Sequence, residues 1–195
     1  MGQGDMRTLP TYTSPFSSRE EILPLVHEYL EWDAKSQITE DKCLHAGRAL
    51  LDGVAVRDNL RTVYQWKLQA FIRRFSRARA FADGIGDGII ESAVNAAREA
   101  TLSDDGTIRF ALQALDKIPG VGIPVASAIL MAIHPKRFTV IDRQAYKTLR
   151  VSFRDPIPIQ EYLNYLGFCR SEADRLGVTL RQFDQALWQD GSNAG

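Results

Sequence analysis

Residues 118–142 read IPGVGIPVASAILMAIHPKRFTVID. Neither Gly120 nor Gly122 carries a Cβ, so the backbone between them can turn tightly and approach a ligand closely. Pro124 fits the first turn of a helix, where the N–H it lacks would have no intrahelical partner. Ala126, Ile129, Leu130 and Ile133 then recur at helical spacing and give that helix a buried face. Backbone N–H groups at such a helix start carry partial positive charge and can meet a phosphate. A plain helix–turn–helix corner, whose glycines only make the turn, is the alternative. Asp142 closes the stretch just before Arg143-Gln144-Ala145-Tyr146-Lys147, where it is placed to cap a helix. A cap of this kind contributes about 1 kcal/mol.

Ile118-Pro119-Gly120-Val121-Gly122 resembles the helix-hairpin-helix of DNA-repair glycosylases, and Val140-Ile141-Asp142 resembles the segment that carries their catalytic aspartate. The spacing between the two fits that family without a gap, and the resemblance covers roughly residues 107–150. It implies an all-α, two-lobed fold with a cleft between the lobes. It also implies DNA-backbone contacts at Gly120, Val121, Gly122, Ile123 and Arg143, with a monovalent cation on the hairpin carbonyls as an optional companion. Members that also cleave the strand carry a nucleophilic lysine at the position held here by Pro124. The implied chemistry is therefore hydrolytic. Asp142 would orient a water and stabilise the positive charge on the deoxyribose as a flipped base departs. The alternative is a catalytically inactive DNA-binding or adaptor module that keeps only the hairpin, which Pro124 and the neutral total charge favour.

A glycosylase must hold the extruded base between aromatic faces, with polar groups at its edge. Gln65-Trp66-Lys67 lies early in a basic helix, and Asp184 and Trp188 share a face one turn apart on the last helix. A tryptophan from a central helix with an Asp and a Trp on a C-terminal helix resembles the base pocket of the archaeal 8-oxoguanine DNA glycosylases. That likeness implies a modified purine such as 8-oxoguanine as substrate. Core packing is the competing role for each tryptophan, and Trp32 is assigned to the core. Lys67, beside Trp66, is a second candidate nucleophile, because desolvation or neighbouring arginines lower an amine's pKa. A phosphate contact is the simpler role for it.

At 195 residues and 45% hydrophobic, the chain can bury one good core. No apolar run approaches a membrane span, and the N-terminus has no signal-peptide core. Cys43 and Cys169 suit a reduced intracellular protein and are too few for a four-cysteine iron–sulfur loop. Three histidines without a cluster give no zinc set, so no metal or other cofactor is expected. The formal net charge is zero, yet its distribution is uneven. Residues 19–41 are acidic. Residues 57–79 are basic (Arg57, Arg61, Lys67, Arg73, Arg74, Arg77, Arg79), and Lys136, Arg137, Arg143, Lys147 and Arg150 surround Asp142. Such segregation suits a cationic face on a neutral body, although solvated helix faces would look the same. The expected partner is double-stranded DNA with a damaged or modified base, and no membrane. A monomer in the cytoplasm is expected, nucleoid-associated in a bacterium.

Capping and breaker residues predict helices from Ser17 or Ser18, from Thr39 to near Leu51, over 58–82, from Ile89 to about Thr101, and over 107–117. Further helices are predicted from Pro124 to Ile133, from Asp142, over 159–175, and from Thr179 to Gln189. Phe138–Ile141 is the one apolar run with a weak strand signal. One domain over 18–190 is expected, with lobe A at about 18–56 plus 142–190, lobe B at about 57–141, and flexible tails at 1–17 and 191–195.

Overall fold

The computed structural model describes residues 9–69, 84–154 and 156–194. The expected helix over 58–82 therefore lies outside the described residues beyond position 69, as do Arg73, Arg74, Arg77 and Arg79. Every regular element among the described residues is a helix. In order these are α1 (Arg19–Asp33), α2 (Glu40–Asp52), α3 (Val56–Leu68), α4 (Asp87–Arg98) and α5 (Asp105–Asp116). They are followed by α6 (Ile123–Ile133), α7 (Arg143–Thr148), α8 (Ile159–Leu176) and α9 (Leu180–Asn193).

Side-chain caps set several boundaries. Thr39 accepts from the Lys42 amide at the head of α2, and Gly53 ends that helix in the left-handed region at φ 78°. Thr179 and Gln182 form a reciprocal capping box at the head of α9. Ser18 occupies the cap position of α1 without a side-chain bond; Glu21 instead reaches back to the Ser17 amide at 2.8 Å.

Helix α6 is buried at every residue except Pro124, and α2, α3, α4 and α5 all pack on it. A helix that is apolar all round belongs in the middle of a domain. The crossing with α2 is very close: a Cβ on Gly47 would sit 1.9 Å from the Ala132 carbonyl oxygen. Helices α1, α7 and α8 pack instead on α9. Helix α2, expected among the terminal helices, has its main packing on α3 and α6, because Gly47 is what allows it to seat there.

Described residues within both expected tails are packed against the helices. Tyr12 packs on Tyr146, Tyr165 and Phe168, and its hydroxyl lies 2.9 Å from that of Tyr146. Phe16 is buried against Phe183. At the other end α9 runs on to Asn193, because Gly191 is buried against α7.

The Phe138–Ile141 run forms no strand. Its backbone polar groups are taken by side chains instead of a ladder. Tyr162 donates to the Thr139 carbonyl at 3.1 Å, while Asp184 accepts from the Val140 amide and Ser127 from the Ile141 amide, both at 3.2 Å. Those three bonds hold the approach to Asp142 in extended form.

Candidate active site

The hairpin between α5 and α6 is built from backbone. The Val121 amide donates to the Ile118 carbonyl at 2.9 Å, and Gly120 turns through φ 89°. A Cβ on Gly120 would crowd the Tyr64 hydroxyl at 3.0 Å, and the positive φ there is one that residues with a side chain rarely adopt. Gly122 caps α6, its carbonyl accepting from the Val125 and Ala126 amides at 3.0 and 2.9 Å. Gly120 and Gly122 are exposed, whereas the side chains of Val121 and Ile123 are buried. What this turn offers to solvent is the Pro119 ring and the main chain of the two glycines.

Ser127 connects the hairpin helix to Asp142. It is fully buried, donates to the Pro124 carbonyl at 2.9 Å, and accepts from the Ile141 amide. Asp142, one residue on, caps α7 with Oδ1 accepting from the Gln144 amide at 2.8 Å. Its other oxygen, Oδ2, accepts from Lys67 Nζ, which arrives from α3. The pair is well shielded, with side chains 8% (Lys67) and 12% (Asp142) exposed. Burial would raise the Asp142 pKa, but the Lys67 ammonium, its hydrogen bond and the Gln144 amide together hold the carboxyl below its usual range. Asp142 is therefore ionised at neutral pH.

The pair opens onto a pocket of about 90 Å³ shared by α1, α3, α7 and α9, enough for several waters. Its aromatic lining comes from Tyr29, Trp32, Trp66 and Trp188. Trp32 and Trp188 lie with ring centroids 4.5 Å apart and planes tilted by 39°, and Tyr29 meets Trp188 edge-on at 5.5 Å. The polar lining is Lys67, Asp142, Gln144, Arg181 and Asp184. Arg181 forks onto Glu40, with Nε to Oε1 and Nη2 to Oε2 both at 2.7 Å, and its Nη1 holds Asp184. Its guanidinium also lies 5.5 Å from the ring centres of both Tyr29 and Trp66. This arginine is spent on structure: it fixes two aromatic rings and one carboxylate of the pocket at once. Burial opposes ionisation of Glu40, yet Arg181 wins and brings its pKa down. At Asp184 burial prevails over Arg181 and the pKa is raised.

Five of the residues singled out from sequence meet here: Trp66, Lys67, Asp142, Asp184 and Trp188. Gln65 does not line the pocket, because its neighbour Trp66 takes the inward face of α3. Trp32 is not a plain core residue; it is half-buried and forms pocket wall beside Trp188. Sequence reasoning missed Tyr29, Gln144, Arg181 and Ser127. A signal existed for two of them. Tyr29 shares the Trp32 face of α1 at i, i+3, and Arg181 shares the Asp184 and Trp188 face of α9 at i, i+3 and i+7.

Arg143 is exposed on α7 with its guanidinium 5.2 Å from the Phe153 ring centre. Lys136, Arg137, Lys147 and Arg150 are exposed as well, and none of the five has an ion pair among the described residues. Arg57 and Arg61, by contrast, hold Asp87 at 2.5 Å and Asp58 at 3.2 Å. Among the described residues no group of three His, Cys, Asp or Glu side chains is arranged to hold a metal. Cys43 and Cys169 are buried and free. No helix among the described residues is long and apolar enough to cross a membrane. No protein-family model, curated protein or solved structure matches the chain.

Proposed function

We propose that this chain is a DNA N-glycosylase that hydrolyses the glycosidic bond of a modified base, a purine such as 8-oxoguanine, flipped into the pocket at Asp142. One observation carries the reading: an ionised carboxylate lines an aromatic pocket and is tethered through Ser127 to the helix of a glycine hairpin. In this reading α2 to α6 form one lobe and α1 with α7 to α9 the other, with DNA lying across the groove between them. The Gly122 end of the hairpin and the exposed cations around Asp142 hold the sugar–phosphate chain.

The chemistry follows from the charge distribution. The C1′–N bond breaks with its electron pair going to the base, which takes a proton from solvent. The ionised Asp142 stabilises the sugar cation left behind, and a water adds to C1′, losing its proton to the carboxylate and then to bulk. Trp66 and Trp188 stack the base, and Asp184 meets its edge. The contact of Lys67 with Asp142 favours a second reading. In it Asp142 takes a proton from the Lys67 ammonium, and the freed amine attacks C1′ as the base departs with the C1′–N electron pair and a proton from solvent. The resulting Schiff base leads to strand nicking.

The test is release of free base from duplexes carrying oxidised, alkylated and deaminated bases. Wild type should release one class, and Asp142→Asn should lower single-turnover release by about 100-fold or more while DNA binding persists. Release with an intact strand and no borohydride-trapped adduct assigns hydrolysis; a trapped adduct lost in Lys67→Gln assigns the lysine. Binding without release from any duplex would leave a DNA-binding module.

A further inference from the structure

The solvent side of α7 is made of cations. Between residues 141 and 150 only Arg143, Lys147 and Arg150 are exposed. The rest of the helix packs inward, with Thr148 donating to the Leu187 carbonyl of α9 at 2.8 Å. Arg143 and Lys147 are one turn apart, and Arg150 follows where the chain leaves the helix. The Arg143 guanidinium lies over the Phe153 ring. Among the described residues the side chains of Lys147 and Arg150 have no hydrogen bond or ion pair.

Arg150 also stands on a backbone that suits glycine. Helices α2, α8 and α7 all end in the same pair of bonds. At α2 the Gly53 amide donates to Leu50 at 3.2 Å and the Val54 amide to Ala49 at 2.9 Å. At α8 the Gly177 amide donates to Asp174 at 3.2 Å and the Val178 amide to Ala173 at 3.0 Å. At α7 the Arg150 amide donates to Lys147 and the Val151 amide to Tyr146, both at 3.0 Å. The turning residue is left-handed each time, with φ 78° at Gly53, 64° at Gly177 and 56° at Arg150. Two of these ends place glycine there. The third holds a side chain that the conformation disfavours and that the fold leaves without a partner.

We propose that Arg143, Lys147 and Arg150 form a track for successive phosphates of duplex DNA, and that Arg150 keeps its strained place because the end of the track needs a guanidinium. The proposal rests on the DNA-binding part of the reading above and not on its chemistry; an inactive module would use the track equally. At a helical rise of 1.5 Å per residue, positions 143 to 150 span roughly 10 Å, enough to reach more than one phosphate of a strand. Exposed cations without protein partners complement a polyanion, and an arginine fork can hold a phosphate through two bonds. The track starts one residue after Asp142, so the phosphates it holds flank the nucleotide at the pocket.

Fluorescence anisotropy of the full chain with an undamaged duplex, across roughly 50 to 200 mM salt, tests the track. Lys147→Gln and Arg150→Gly should each weaken binding and lower the slope of log K against log salt by about 0.9. Arg150→Gly should also melt about 2–4 °C above wild type, because glycine relieves the left-handed turn. Affinity lost by a more stable protein is not lost to unfolding. Arg19→Gln removes one exposed charge at the head of α1 and should keep the wild-type slope. An unchanged slope in Lys147→Gln and Arg150→Gly would overturn the proposal. So would an equal fall in Arg19→Gln, which would reduce the effect to net charge. Arg150→Gly melting at or below wild type would overturn the claim of a strained arginine. Binding to phosphatidylserine vesicles that both variants lose, with duplex binding intact, would give this face to a membrane and overturn the track. A wild type that binds no duplex is a different outcome, and it overturns the DNA reading beneath the proposal.

Discussion

Lys67 and Asp142, 75 residues apart in the chain, meet as a shielded ion pair in the lining of the aromatic pocket. Neither residue reaches the other by local structure. Lys67 comes from the last turn of α3, and Asp142 is fixed at the head of α7 by its bond to the Gln144 amide. The pair does two things at once: it cancels most of the cost of burying each charge, and it keeps the carboxylate in the form that can stabilise a cation.

That pairing sets the response to acid. Asp142 and Glu40 both have pKa values held below the usual carboxylate range. Each therefore contributes stability that is fully present above its unfolded pKa and is lost as pH falls through its folded value. Asp184 has the opposite sign: its raised pKa means a contribution present in acid and lost as pH rises through its folded value. Urea unfolding between pH 3 and 7 should show stability falling below about pH 4. In Asp142→Asn that acid limb should be shallower. Equal limbs in the two proteins would show that Asp142 is not the ionised partner of Lys67.

Trp188 should govern recognition of the lesion and leave general DNA affinity alone. Its ring faces Trp32 within the pocket, whose lining does not include the exposed cations Lys136 and Arg137. Stacking on one aromatic side chain contributes about 1–3 kcal/mol per base. Trp188→Ala should weaken binding to a lesion duplex by about that amount and leave undamaged duplex unchanged. Titrations by fluorescence anisotropy on both duplexes measure the difference, and equal losses on the two would place Trp188 in the core.

The helices were legible wherever a cap or breaker marked them. Thr39, Gly53, Asp142 and Thr179 all end or begin elements where local chemistry says they should, whereas the cap at Asp104 starts its helix two residues before the expected Thr107. The site was legible only in halves. Asp184 and Trp188 share a helical face, and Asp142 follows the hairpin at a fixed distance, so each half could be read separately. What joins the halves is not periodic. Ser127 is a small polar residue in an apolar helix, and nothing local says that its hydroxyl will hold Ile141. Arg181 looks like any exposed helix arginine until Glu40 of α2 arrives to be bound. The weak strand signal of Phe138–Ile141 leads to no strand for a related reason: side chains from three other elements bind its Thr139, Val140 and Ile141 backbone groups.

Ser127→Ala isolates the tether. The substitution leaves the Ile141 amide buried without an acceptor, at a cost of about 1–3 kcal/mol. Val would refill more of the volume but add bulk, so Ala and Cys are the informative pair. Calorimetric melting should place Ser127→Ala below wild type and Ser127→Cys between them. Hydrogen exchange should speed at Ile141 more than at α1, which packs on α9. Uniform speeding would mean that the serine acts only through global stability.

Two helical glycines make an internal control on how closely α9 must approach α7. Gly167 in α8 has open space where a Cβ would go, so Gly167→Ala should stabilise by about 0.5–1 kcal/mol through helix propensity alone. Gly191 gains the same propensity term, but its Cβ would meet the Gln144 carbonyl at 2.0 Å and Thr148 Oγ1 at 3.0 Å. Relieving a backbone clash requires α7 to move, and overpacking of this kind costs about 1–3 kcal/mol. Gly191→Ala should therefore melt below wild type while Gly167→Ala melts above it. The displacement should also reach the site, because the residue pushed away is the one whose amide holds Asp142 Oδ1. A Gly191→Ala protein as stable as wild type would mean that α7 rests on α9 with slack, and that the position of Asp142 is set elsewhere.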